Sequence, residues 1–285
     1  MTAPAGARGS TPRAGPGAER GEALRAGVVH VWRVDLGRET PALSRLVHAV
    51  PPAELAEAHR FRVLRQRRHF LLARGIVRTI LARYLGMAPA ALNFRYGPHG
   101  KPELPGAALH FSVSHARDLL LCAVCRTAPV GVDVERVRSG VADEVTRWLC
   151  STEPCEQLRD LAPRARREAF FRAWTRMEAC VKAQGGGLAE ALAGFPAFLA
   201  EGPSAVPEGG PRPAPVAPWW LLDFSPRRGY AAALALPEPG WRVQHRGWWA
   251  PREGSRPEPG PRARGRPGPI PIARAVQKKS EARSP

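Results

Sequence analysis

Asp133 and Glu135 sit two residues apart inside Pro129-Val-Gly-Val-Asp-Val-Glu-Arg136. Valine-rich alternation bounded by Pro129 and Gly131 predicts a β-strand. On a strand, residues i and i+2 face the same way, so both carboxylates emerge side by side. Like charges held that close call for a cation between them. An acidic strand face in solvent accounts for the pair slightly better on this stretch alone, and what shifts the balance lies further along the chain. A second group lies on the helix predicted from about Arg166 to Ala183, where Trp174, Glu178 and Lys182 step by four and share one face. Phe170, Met177 and Val181 form the adjoining apolar stripe. An i,i+4 Glu–Lys pair is ordinarily a surface ion pair contributing about 0.2–0.5 kcal/mol. Beside an apolar stripe and a tryptophan, partial burial is expected instead. A third carboxylate facing an Asp-x-Glu strand supplies three oxygen ligands, a set that suits hard Mg²⁺. The lysine and nearby arginines would then bind phosphates whose charge the metal shares.

These side chains need a scaffold, and the chain offers one in both directions. Val28–Leu36 alternates as a first strand, and Pro51-Pro-Ala-Glu-Leu55 opens a helix with proline where a first turn tolerates it. Residues 59–85 carry the clearest helical period: Phe61, Leu64, Leu71, Val77, Ile80, Leu81, Tyr84 and Leu85, stopped by Gly86. The opposite face holds Arg60, Arg62, Arg65, Arg67, Arg68, Arg74, Arg78 and Arg83 with no acid among them. It is either a solvated arginine face or a phosphate-binding wall. Leu92–Tyr96, Ala108–His115, Leu119–Cys125 and Val130–Val137 are predicted strands, the last three completing a meander, with a turn at Gly97–Pro102. Helical patterning returns at Asp143–Trp148 and Glu156–Leu161 ahead of the 166–183 helix, which Gly185-Gly-Gly187 stops. After a Pro/Gly-rich loop at 201–218, Trp219–Phe224, Tyr230–Leu236 and Trp241–Trp249 are predicted as closing strands.

Composition bounds the reading. Of 285 residues, 44% are hydrophobic, enough to bury a core. Residues 1–26 and 251–285 lack bulky apolar side chains or are rich in Pro, Gly and Arg, and are expected to be disordered tails. They hold +2 and +6 of the formal +18, which leaves about +10 on the folded part and implies an acidic partner. No secretory h-region and no membrane-length apolar run is present. Five irregularly spaced cysteines predict reduced thiols in a cytoplasm. Cys122 and Cys125 fall on one predicted strand, facing opposite ways, and read as buried small side chains rather than a zinc or redox pair.

Taken in order, Gly100-Lys-Pro102, Phe111-Ser-Val-Ser-His115, Gly131-Val-Asp-Val-Glu135 and Trp174-Thr-Arg-Met-Glu-Ala-Cys-Val-Lys182 resemble the Sfp-type 4′-phosphopantetheinyl transferases over roughly residues 28–236. The resemblance implies an α+β fold of two similar α/β halves related by pseudo-two-fold symmetry, residues 27–125 and 126–250, in a monomer. It implies transfer of phosphopantetheine from coenzyme A to a serine of an apo acyl or peptidyl carrier protein, with Mg²⁺, releasing 3′,5′-ADP. Asp133, Glu135 and Glu178 would hold the metal, and Glu178 would take the serine proton. Lys182 would neutralise the α-phosphate. Ser114 and His115 would contact the nucleotide phosphates, Lys101 the adenosine end, and His69 with Arg68 the 3′-phosphate; Glu153 would be accessory. Carrier proteins are acidic, which the basic surface fits.

Two departures from the family pattern stand out. Met177 occupies a position that is often basic, which Arg176 could offset, and His69 stands where arginine is commoner. A non-catalytic relative that binds coenzyme A or carrier protein is one alternative, raised by Met177. A nucleic-acid-binding protein is the other, raised by the net charge and the arginine helix. Against the latter, no helix-turn-helix, zinc or aromatic RNA-binding pattern accompanies the basic helix, so neither nucleic acid nor membrane is expected as partner.

Overall fold

The computed structural model describes residues 24–38, 43–139, 158, 161–192, 194–199 and 219–248. The predicted helix at 143–148, the accessory Glu153, the 201–218 loop, the tail from 251 and most of the 1–26 and 156–161 segments lie outside them. Leu24, at the end of the expected N-terminal tail, is buried in the first core.

Four layers stack in the order helix, sheet, sheet, helix. The first sheet has four strands in the order β4 (His110–Ala116), β5 (Leu119–Cys125), β1 (Val28–Asp35) and β9 (Arg242–Gly247). Its neighbours are antiparallel except β1 and β9, which run parallel with His30 opposite Gln244. The second sheet has β6 (Gly131–Arg136), β8 (Tyr230–Leu236) and β7 (Trp220–Phe224), all antiparallel. A two-residue ladder, β2 (Arg95–Tyr96) with β3 (Pro102–Glu103), makes a separate hairpin. Short helices α1 (Leu43–Leu46) and α2 (Pro52–Ala58) precede the long α3 (Leu64–Leu85); α4 (Pro163–Gln184) and α5 (Leu188–Leu192) follow β6.

Leu72, Ile76 and Ile80 of α3 pack with Trp32, Val34, Cys122 and Val124 on one face of the first sheet. Its other face meets the second sheet through Val29, Val31, Leu121, Cys125, Val132, Val134 and Leu234. On the far side, α4 lays Ala179, Cys180 and Ala183 against Leu221, Ala233 and Ala235. β5, sandwiched between two cores, is therefore buried along its whole length, and Cys122 and Cys125 enter opposite cores as expected.

Some sequence expectations are corrected. The long helix starts at Leu64, not at 59, because Val63 is extended (φ −89°, ψ 118°). The strand expected at Leu92–Tyr96 shrinks to Arg95–Tyr96, since a short turn at Pro89–Ala91 precedes it and Arg78 Nη1 takes the carbonyls of Pro89 and Leu92. The meander stops after β5, whose second edge belongs to β1, so β6 founds the other sheet. The arginine face is also less bare than its sequence suggests. Arg78 is buried against Glu54, Arg74 stacks on Phe70 and Tyr96, and Arg83 stacks on Trp248.

Candidate active site

A close approach of backbones sets the geometry of the site. A Cβ added at Gly131 would lie 1.8 Å from the Ala179 carbonyl oxygen and 2.6 Å from the Ala183 nitrogen. Only glycine lets α4 rest directly on β6, and Ala179 and Ala183 keep the helix side equally bare. Asp133 and Glu135 follow Gly131 on the same strand face, under the stripe that carries Glu178 and Lys182. At its ends α4 opens with Pro163 at its first turn and closes on Gly185 at φ +76°. Arg176 pins it to β7 through both oxygens of Asp223 and the Phe198 carbonyl.

Lys182 Nζ lies 2.5 Å from Asp133 Oδ1, 3.4 Å from Glu178 Oε2 and 3.1 Å from Ser114 Oγ. Ser114 donates to the same Asp133 oxygen at 2.7 Å and accepts the Val134 N–H at 3.3 Å. Ser112, one strand period earlier, accepts the Val132 N–H, so the two β4 serines stitch the edge of the second sheet to the first. Asp133 is 2% exposed, and its other oxygen, Oδ2, is buried without a hydrogen-bond partner.

The electrostatics follow from crowding carboxylates in a poorly solvated place. Burial, then the charges of Asp133 and Glu178, push Glu135 up to about 7. Burial and Asp133 likewise raise Glu178, against the opposing pull of Lys182 and a hydrogen bond from Trp174. Burial alone would lower Lys182; the charges of Asp133 and Glu178 outweigh it and hold the ammonium above its ordinary value. Lys182 is therefore shared between Asp133 and Glu178, while at Glu135 the charge of Arg138, ahead of that of Lys182, opposes the rise. Among the described residues no three His, Cys, Asp or Glu side chains are already gathered as a ligand set. The oxygens are nonetheless of the hard type, and the bare Asp133 Oδ2 is a buried acceptor that a cation would satisfy.

Beside this cluster, Arg68, His69, Arg65, Leu64, Gly37 and Asp118 line a cleft of roughly 430 Å³. Asp118 accepts from Arg65 at 2.7 Å and lies 3.3 Å from His69 Nε2. His115 links the two regions: desolvation first, then the positive charges of Lys182 and His69, lower its pKa. The structure thus gathers Asp133, Glu178 and Ser114 around Lys182, places Glu135 and His115 within their field, and sets Arg68 and His69 on the adjoining cleft. Lys101 donates its amine to the Ala183 carbonyl at 2.9 Å, at the end of the helix that carries Lys182. Arg176 cannot offset Met177 as expected, because Asp223 and Phe198 hold it; Met177 itself is fully buried against the aromatic cluster of Phe170 and Phe195. Asp118 was not singled out from sequence. Its one signal is a position in the two-residue turn between β4 and β5, where Arg117 adopts φ +56°.

A family model described as the 4′-phosphopantetheinyl transferase superfamily matches residues 129–234, which include all of α4 and most of the second sheet. Over 221 residues, 75% of this chain and 90% of the relative, the sequence is 36% identical to the 4′-phosphopantetheinyl transferase HetI of Nostoc sp.. It is 29% identical to a 4′-phosphopantetheinyl transferase of Bacillus subtilis over 152 residues, 53% of this chain and 67% of that one. To the 4′-phosphopantetheinyl transferase Sfp of Bacillus subtilis strain 168 it is 24% identical over 201 residues, 68% and 85% of the two chains.

Proposed function

The chain belongs to the 4′-phosphopantetheinyl transferase superfamily, and on that premise we propose that it transfers phosphopantetheine from coenzyme A to a serine of an acidic apo acyl or peptidyl carrier protein, with Mg²⁺. The observation that carries the proposal is the unfinished charge of the site: Asp133 Oδ2 buried without a partner, beside two carboxylates whose pKa values are raised.

Asp133, Glu135 and Glu178 would hold the ion, which would screen the pyrophosphate and draw charge from the phosphorus under attack. The serine oxygen forms a bond to the β-phosphorus, the bond from that phosphorus to the bridging oxygen breaks, and 3′,5′-ADP departs. Glu178 accepts the serine proton, the role of a positioned general base. Lys182, already held charged between Asp133 and Glu178, stabilises the negative charge on the leaving α-phosphate. Ser114 and His115 contact the nucleotide phosphates. Arg68 and His69 take the 3′-phosphate in the cleft, where it displaces Asp118 from Arg65 and His69 as partner. The hairpin around Lys101 borders the adenosine end.

We extend the proposal to the architecture. Halves 27–125 and 126–250 are related by a pseudo-two-fold axis, a reading supported by one 22-residue helix ended by a left-handed glycine in each. β9 is then a strand that the second half lends to the first. A monomer acting in the cytoplasm completes the proposal.

The test is to incubate the full chain with coenzyme A, MgCl₂ and several apo carrier proteins and to weigh the carriers. A mass gain of one phosphopantetheine is expected, and no gain on any carrier contradicts the proposal.

A further inference from the structure

We infer that Lys101 is a positioning residue, which acts on the chemical step by holding the end of α4 in register with β6. The inference rests on the transferase reading above. Lys101 stands in the turn between β2 and β3, just after Gly100 at φ +78°. Its Nζ reaches 82 positions along the chain to donate to the Ala183 carbonyl at 2.9 Å. Ala183 is the residue after Lys182.

The last carbonyls of a helix have no partner within it, and a cation there also meets the negative end of the helix dipole. In α4 the Val181 carbonyl is met by the N–H groups of Gly185 and Gly186, and the Ala183 carbonyl by Lys101. The aliphatic stem of the lysine lies over the same cap, its Cδ 3.6 Å from where a side chain on Gly185 would begin. Burial of the amine, which lowers its pKa, is the mark of a group enclosed against protein.

The hairpin therefore grips the helix at the turn that carries Lys182, one turn from Glu178. Without that grip the last turn frays, and Lys182 loses its fixed place at 2.5 Å from Asp133 and 3.1 Å from Ser114. Phosphate capture through Arg68 and His69 does not pass through this turn. The expected defect is thus in turnover and not in coenzyme A binding. A lysine whose amine simply touched the nucleotide would give the opposite pattern.

Lys101→Met keeps the stem and removes the donor; Lys101→Arg keeps a donor of similar reach. With the wild-type chain transferring phosphopantetheine under the conditions above, Lys101→Met is expected to lose kcat by about ten- to hundredfold, in the range of a small misplacement of catalytic groups. KM for coenzyme A should stay within about twofold, Lys101→Arg should recover most of kcat, and hydrogen exchange should quicken in peptides spanning 181–186 only. A raised KM with unchanged kcat, wild-type kinetics, or a lower kcat without faster exchange at 181–186 each overturns the inference. A wild-type chain that transfers nothing contradicts the transferase reading instead, and the exchange measurement still decides whether Lys101 holds the helix end.

Discussion

α3 and α4 each run 22 residues, end on a glycine with positive φ and cover the outer face of adjoining sheets, yet they treat buried charge in opposite ways. On α3, Arg78 is matched completely. Its Nε and Nη2 donate to both oxygens of Glu54 at 3.1 and 2.7 Å, its Nη1 takes the carbonyls of Pro89 and Leu92, and Phe94 lies under the guanidinium. On α4, Lys182 is shared among Asp133, Glu178 and Ser114 while Asp133 keeps one oxygen bare. A buried ion pair whose every polar atom is met holds elements together. A buried cluster short of positive charge is built for something that arrives.

That contrast can be broken from either side. The largest effect belongs to α4: Glu178→Gln should lower transfer by roughly 10²–10⁴-fold, the usual contribution of a general base, while thermal stability holds or rises because a crowded charge is gone. Near-normal turnover would remove Glu178 from the chemistry. Next comes α3, where Arg78→Met leaves Glu54 buried and unpaired, a loss of about 3–5 kcal/mol in chemical denaturation, with transfer per folded molecule unchanged. Lost turnover at full stability would erase the distinction between the helices. Gly131→Ala sits between structure and site. Its new methyl meets backbone that cannot yield without moving α4, so a stability loss of about 1–3 kcal/mol should accompany a fall in kcat.

The smallest effect is at the exposed end of the scale, at Asp118. Its hydrogen bond from Arg65 lowers its pKa below the ordinary 3.8. A lowered acid contributes stability above its unfolded value and loses it as pH falls through the folded one. Asp118→Asn should therefore flatten the acid limb of the stability profile slightly, as for other surface pairs. An unchanged limb would show that this pair contributes nothing to folding.

Local pattern carried much of the fold. β5 and β8 lie where their short apolar runs place them, and the four-residue stepping of Trp174, Glu178 and Lys182 survives in α4. Order along the chain joined to the family resemblance named Asp133, Glu178 and Ser114, which the structure gathers around Lys182. What stayed hidden depends on residues far apart in sequence. Arg78 reads as a solvent-facing arginine until Glu54, on another helix, comes to it. β9 shows no sign in its own residues that it will pair parallel with β1. Arg176 reads as a phosphate cation in place of Met177, and Lys101 as an adenosine contact, with nothing in either stretch to announce Asp223 or the Ala183 carbonyl as partners. Side-chain type and spacing give a face; they do not give the partner across it.

The most direct test of the central claim is the thermal shift of the wild-type chain and of Asp133→Asn, each at pH 7.5 with and without MgCl₂. If the Asp133 cluster is short of positive charge because a divalent ion completes it, Mg²⁺ should raise the melting temperature of the wild type and leave Asp133→Asn nearly unmoved. Equal shifts in both proteins, or none in the wild type, would contradict it.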